Sequence, residues 1–222
     1  PGVGEWLDVL NSQPCSWKFL LTSRPWPKGT REYPSAYMHE YSVAGLEVTE
    51  GVELLRKQGI RMGQATDVQL QTAVATCGGH AFALTLLASL FSRNRSLNFA
   101  LLFENPLYAP LWHGDIAKNL LDYIYIQQLD DVEREVLFAF SIYRESVPLE
   151  ACIALTNFNA EDQKARVLSA LRALLIQHLL QASGEALYQL HMIVAHYVRE
   201  RGFDERKEQA LNIAHARAAN YY

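Results

Sequence analysis

"HAFALTLLASLFSR", residues 80–93, is apolar on nearly every side of a helix. A helix without a polar face has no side to turn to water, so it must lie central and buried among other elements. The sequence around it supplies partners of the right kind. "TEGVELLRKQG" reads as a short amphipathic helix ending at Gly59. "TDVQLQTAVATCGG" opens with Thr66 and Gln69 at capping-box spacing and stops at Gly78 and Gly79. Beyond a loop holding Pro106, Pro110 and Gly114, "DIAKNLLDYIYIQQL" resumes the helical period. Together they predict a four-helix packet over residues 47–129 in a mainly α chain.

The grammar before it is different. "EWLDVLNS" sets Trp6, Leu7 and Leu10 at helical spacing. In "KFLLTSRPWP" three apolar residues, Phe19, Leu20 and Leu21, follow without a polar break, which predicts a strand at 17–23 buried on both faces. Pro25 and Pro27 bar its continuation. Thr22, Ser23 and Arg24 then fall at the carboxyl end of the strand, where open α/β sheets place their ligands. After a loop at 24–36, "YMHEYSVAGL" alternates as a second strand. A helix and two strands read as the C-terminal part of an α/β domain over 1–46. Beginning on Pro1 without a methionine, the chain reads as an excised piece.

After the packet comes a third pattern. "DDVEREVLFAFSIY" offers Asp130 as N-cap and Glu133 at the third helical position, followed by an apolar stripe. "VPLEACIALT" opens with Pro148, favoured in a first helical turn. "AEDQKARVLSALRALL" aligns Val167, Leu168, Leu171, Leu174 and Leu175 on one side. "IQHLLQASGEALYQLH" is a hairpin signal around Ser183-Gly184, and "MIVAHYVRER" closes the unit as a helix. Three helices, a hairpin and a helix in that order describe a winged helix at 130–201. The tail at 202–222 is helical, with alanines dense enough for the close stacking of helix-pair repeats.

Composition narrows the chemistry. Half of the 222 residues are apolar and a fifth charged, which provides for a sizeable core. A net charge of -4 argues against a general binder of nucleic acid or anionic membranes. No apolar stretch approaches the ~18 residues of a membrane span, and the first residues carry no signal peptide. Cys15, Cys77 and Cys152 are odd in number and far apart, which suits free thiols in a reducing, cytoplasmic setting. None has a neighbouring base that would make it a nucleophile. His178, His191, His196 and His215 show no metal-ligand spacing. No GxxxxGK[ST] occurs, since Lys28-Gly29-Thr30 has the wrong order, so the phosphate loop of a nucleotidase is not in this stretch. Two features remain. "CGGHAFAL" puts two glycines before the buried helix, whose first amides lack intrahelical partners and either face a ligand or close a tight turn. His191, between the second hairpin strand and the following helix in "YQLHMIV", either caps that helix or reaches a ligand phosphate as imidazolium.

Taken in order, these signals resemble the signal-transducing P-loop ATPases of the STAND class, which include the NB-ARC and NACHT regulators and their bacterial relatives with repeat tails. "LLTSR" is similar to the sensor-1 strand, whose arginine lies near the γ-phosphate. "YSVAGL", "EGVELL" and "GGHAFAL" follow the run from the last sheet strand into the helical ARC1 domain. Where the family has Gly-x-Pro against the base and sugar, this chain reads Gly79-His80-Ala81. "LYQLHMIVAHY" resembles the Met-His-Asp end of the winged helix, with Leu190 and Met192 flanking His191. The resemblance covers nearly the whole chain. It implies nucleotide binding by Thr22, Ser23, Arg24, Gly79, His80, Ala81 and His191, with His191 reading the β-phosphate of ADP. It implies ADP or ATP as cofactor, with magnesium held by an upstream part, and no catalytic or metal-binding residue in this stretch, which alone would be no enzyme although the full-length protein would be a slow ATPase switch. The implied partners are the upstream nucleotide-binding half and downstream repeats of the same protein, with homo-oligomerisation on activation, and neither DNA nor membrane.

A winged-helix DNA-binding transcription regulator is the alternative. Lys164, Arg166 and Arg172 lie on its presumed recognition helix, but Glu161 and Asp162 precede them and the hairpin tip "ASGE" has no basic residue. A free-standing hydrolase would need a nucleophile–base pair that the sequence does not show.

Overall fold

The computed structural model describes Glu5, Val9, Ser16, residues 18–22 and residues 41–221 apart from 95–96, 157–160 and 206–207. The chain divides into two units, Pro1–Ala44 and Gly45–Tyr222. In the first, Glu5 and Val9 are helical. The buried strand expected at 17–23 is not present over its described residues: 18–22 carry no strand, and Leu20 is 92% exposed, Phe19 52% and Leu21 49%. The second expected strand fails likewise over 41–46, where Tyr41 and Val43 are exposed. An apolar run becomes a doubly buried strand only when strands flank it and layers cover it, and the described residues of this unit pair with no strand. Ser23 and Arg24, and the remainder of both expected strands, lie outside the described residues.

The second unit is mainly helical with one small sheet. Its first group holds α1 (Val48–Lys57), α2 (Asp67–Thr76), α3 (Ala81–Arg93), α4 (Phe99–Glu104), a 3-10 helix (Pro106–Trp112) and α5 (Ile116–Tyr123), which runs into a π-turn (Ile124–Gln128). The second holds α6 (Asp131–Ile142), β1 (Val147–Pro148), α7 (Leu149–Leu155), α8 (Glu161–Ile176), β2 (Leu180–Ala182), β3 (Leu187–Leu190), α9 (Met192–Glu205) and α10 (Glu208–Tyr221).

Local chemistry sets the boundaries. Thr66 Oγ1 accepts from Gln69 N at 3.3 Å, and Gln69 Oε1 accepts from Thr66 N at 2.9 Å. Asp130 and Glu133 exchange the same pair of bonds at 2.8 and 2.9 Å. Each box satisfies two amides that a helix start leaves open. Gly59, with φ +97, ends the first helix in the left-handed region.

The expected loop around Pro106 and Pro110 is instead α4 and the 3-10 helix. Asn98 accepts from Leu101 N at 2.8 Å and Asn105 from Leu107 N at 2.9 Å, so each starts a helix with its own cap. Aromatic rings hold the segment down. Phe91, Phe99, Phe103 and Trp112 stack in a row, with centroids 4.8, 5.4 and 4.2 Å apart. Trp112 Nε1 also donates to Leu102 O at 3.2 Å. Proline breaks α-helices because it lacks an N–H, but this seven-residue 3-10 helix takes Pro106 at its start and Pro110 inside it.

Helix α3 is the centre of the first group, with Leu84, Leu86, Leu87 and Leu90 all fully buried. It packs on α1 and α5, as its all-round apolar surface requires. In the second group α6 packs on α8 and α9 through Val136, Leu137, Phe140, Val167, Leu171 and Leu174. Leu168 and Leu175 flank that seam, half-buried. The sheet is antiparallel in the order β1-β3-β2, with Leu180 opposite Leu190 and Val147 opposite Tyr188. Helix α10 closes over α7 with Leu211 and Ala214 buried.

Candidate functional site

The turn before α3 is built on two successive glycines in the left-handed region, Gly78 at φ +57 and Gly79 at φ +67. Only glycine enters that region freely. Gly79 has a second constraint. Leu46 N donates to Gly79 O at 2.8 Å, and a Cβ on Gly79 would sit 2.3 Å from Leu46 O. A Cβ on Gly45 would likewise sit 2.3 Å from Gly78 O. Two glycines on separate segments let the backbones touch. Gly79 is buried under this contact, which faces the 45–46 segment. In the sequence Gly45 reads only as part of a strand; an isolated glycine in a strand pattern is a signal for close backbone approach.

His80 follows as the N-cap of α3. Its Nδ1 accepts from Ala83 N at 3.2 Å. Ala81 is the first helical residue and is exposed. Phe82, one residue on, is buried.

His191 lies between β3 and α9, and its Nδ1 accepts from Ile193 N at 3.3 Å. Its ring lies flat on Phe82, with centroids 4.2 Å apart and planes 7° from parallel. The structure therefore brings the junction histidine of the second group onto Phe82 in the first helical turn of α3, near His80. Burial lowers the His191 pKa below its ordinary value, and the nearby His80 lowers it further. With Nδ1 accepting from Ile193 N, the proton of the neutral ring belongs on Nε2. His80 uses Nδ1 in the same way. Each ring thus turns its Nδ1 edge to a helix start and keeps Nε2 as the edge not used in capping.

Thr22 is exposed and sits in the other unit, and Ser23 and Arg24 lie outside the described residues. Of the sequence-derived candidates, Gly79, His80 and Ala81 are consecutive, and His191 lies near His80 on the Phe82 ring. Phe82, missed in the sequence as anything but core, is what joins them. Among the described residues no group of three or more His, Cys, Asp or Glu is placed to hold a metal. Burial pushes the Cys77 thiol up to about 12 and that of Cys152 further still, so both are inert as nucleophiles at neutral pH. No helix of the described residues is long and apolar enough to cross a membrane.

Compared with known proteins, the chain matches no family model, no curated protein and no solved structure.

Proposed function

We propose that this chain is the nucleotide-sensing regulatory part of a STAND-type ATPase, with the first helical group as its ARC1-like domain and the second as its winged helix. One observation carries the reading: His191, at the end of the hairpin, is seated against the Gly79-His80-Ala81 turn through Phe82. Those are the two motifs that the resemblance places around one nucleotide.

The donor set suits a phosphate. His191 and His80 each present an Nε2–H, and a neutral donor to an anionic oxygen contributes about 1.5–3 kcal/mol. His191 acts in this reading as a neutral hydrogen-bond donor rather than as an imidazolium, because its Nδ1 is committed to α9. Gly79 does not suit a base contact, since Leu46 covers it. Its part is to hold the turn. ADP supplies the phosphates that these residues bind, and His191 and His80 keep the winged helix closed on the helical packet. Exchange for ATP releases His191 and frees the winged helix for oligomerisation.

The test compares the full-length wild type with its His191→Ala variant at equal folded stability. Retained ADP should fall and its release should speed up by roughly ten- to a hundredfold, in proportion to the bond lost. Lowered stability with unchanged ADP retention would leave His191 a helix cap and remove the reading.

A DNA-binding winged helix is the second reading, because Lys164, Arg166 and Arg172 are exposed along α8. Against it, the exposed hairpin tip carries Glu185 and no base.

A further inference from the structure

The two helical groups of the second unit pack mainly on themselves, and a few side chains cross between them. Helix α9 supplies two of the crossings. His191 meets Phe82 just before its first residue. Further along, Tyr197 and Arg201, one turn apart, meet Asp122 and Tyr125. The Tyr197 hydroxyl donates to Asp122 Oδ1 at 2.5 Å. Arg201 Nη1 donates to the same carboxylate oxygen and to the Tyr197 oxygen, both at 3.0 Å. The guanidinium also lies over two rings, 5.5 Å from the Tyr125 centroid and 5.7 Å from that of Tyr197.

Asp122 lies two residues before the point where the backbone passes between the groups. That passage is the π-turn, closed by Leu129 N on Ile124 O at 3.1 Å. Two arginines hold its carbonyls. Arg134 donates to Tyr125 O at 3.0 Å, Ile126 O at 3.2 Å and Leu129 O at 2.7 Å. Arg93 reaches across to Gln128 O and to the buried Glu133 carboxylate. Turns of this i→i+5 kind are rare and favour places where a helix bends or functions.

Tyr125 and Tyr197 are buried with the core, but the Asp122–Arg201 pair differs from it in what separation would cost. Opening an apolar seam exposes carbon to water, at a cost that grows with the area exposed. Asp122 and Arg201 are already 34% and 28% exposed, and both are well hydrated when apart. A partly solvated ion pair contributes little net energy. Such a contact holds two bodies together yet releases them reversibly.

We propose that Asp122, Tyr197 and Arg201 form a latch that holds α9, and with it the second group, closed on the first about the π-turn at Ile124–Gln128. The inference rests on the nucleotide reading only for what drives the opening. The latch itself is a property of these side chains.

The experiment uses the whole 222-residue chain. Spin labels go on cysteines replacing two exposed residues, Met62 between α1 and α2 and Gln181 in β2, with Cys15 changed to Ser. The buried Cys77 and Cys152 stay in place. Pulsed dipolar spectroscopy reads the distance between the groups in the parent, in Tyr197→Phe, in Asp122→Asn and in the double variant. Tyr197→Phe keeps the ring and deletes only the hydroxyl, so it decides the matter if Asp122→Asn fails to fold. A latch predicts a second, longer distance whose population rises roughly three- to tenfold in either single variant. It also predicts a double variant no more open than the wider single, because both changes break one cluster. A parent-like distribution in a folded variant would make the cluster static packing and overturn the proposal. No nucleotide enters the measurement, so its failure is distinct from failure of the nucleotide reading.

Discussion

Replacing Gly79 by alanine separates the two demands that the turn before α3 makes on its backbone. The first is conformational. At φ +67 an L-residue loses about 1–2 kcal/mol relative to its preferred regions, and the stiffer unfolded chain returns about 0.4–1 of that. The second is steric. The new Cβ would lie 2.3 Å from Leu46 O and 2.7 Å from Leu46 N, both backbone atoms that cannot rotate away. The 45–46 segment must then retreat, which breaks the Leu46 N to Gly79 O bond, itself about 0.5–1.5 kcal/mol. Gly79→Ala should therefore cost about 0.5–3 kcal/mol. Gly78→Ala shares the positive φ, but its Cβ would meet nothing within 4 Å, so it should cost about 1 kcal/mol or less. Gly45→Ala meets Gly78 O at 2.3 Å and should fall on the costly side by contact alone. Urea denaturation of the three variants, with m-values compared to confirm a common unfolded state, gives the ranking. Equal costs at Gly78 and Gly79 would refute the claim that backbone contact with Leu46 is what demands glycine there.

Other outcomes follow from the same geometry. Leu171→Ala should lose about 2–5 kcal/mol, because Leu171 is 3% exposed in the α6–α8 seam, whereas a loss below about half a kcal/mol would remove it from the core. His191 and His178 both have pKa values lowered by burial, so the folded chain resists a proton that the unfolded chain accepts. Their contribution to stability is therefore full above the unfolded value near 6.5 and is lost as pH falls below it. Denaturation midpoints measured from pH 7.5 to 5 should fall with pH, and His191→Phe, which keeps the ring stack on Phe82, should flatten the slope. An unchanged slope in the double variant with His178→Phe would contradict the burial of these rings. Titration against mixed duplex DNA at low salt should show no binding tighter than the weak non-specific range, and salt-sensitive submicromolar binding would favour the DNA reading over the nucleotide one.

Helix starts are legible in the sequence because their chemistry is local. Thr66 with Gln69 and Asp130 with Glu133 each announce a capping box within four residues, and the boxes form as written. Burial is another matter. Phe19, Leu20 and Leu21 have the composition of a doubly covered strand, yet covering depends on residues elsewhere in space, and the described part of the segment is exposed. Pro106 and Pro110 read as breakers, while the competing signals, Asn98 and Asn105 as caps and a row of aromatics, carry the segment into helix. At the candidate site the junction position of His191 is readable from the strand-to-helix switch around it. Its seat on Phe82 is not, since a ring contact between two helical groups leaves no periodic trace in either.

The row of stacked rings ending at Trp112 has an optical consequence. The chain's four tryptophans are Trp6, Trp17, Trp26 and Trp112, so Gly45–Tyr222 contains one alone. Its indole is face to face with Phe103 at 4.2 Å and is hydrogen-bonded to a backbone carbonyl, an asymmetric and rigid setting that gives an indole strong near-ultraviolet dichroism. With Trp6, Trp17 and Trp26 changed to phenylalanine, the remaining tryptophan fluorescence would come from one point beside α4. Melting followed at that wavelength would report the first helical group alone, while far-ultraviolet dichroism reports both groups. A difference between the two curves would measure how far the groups unfold independently of each other.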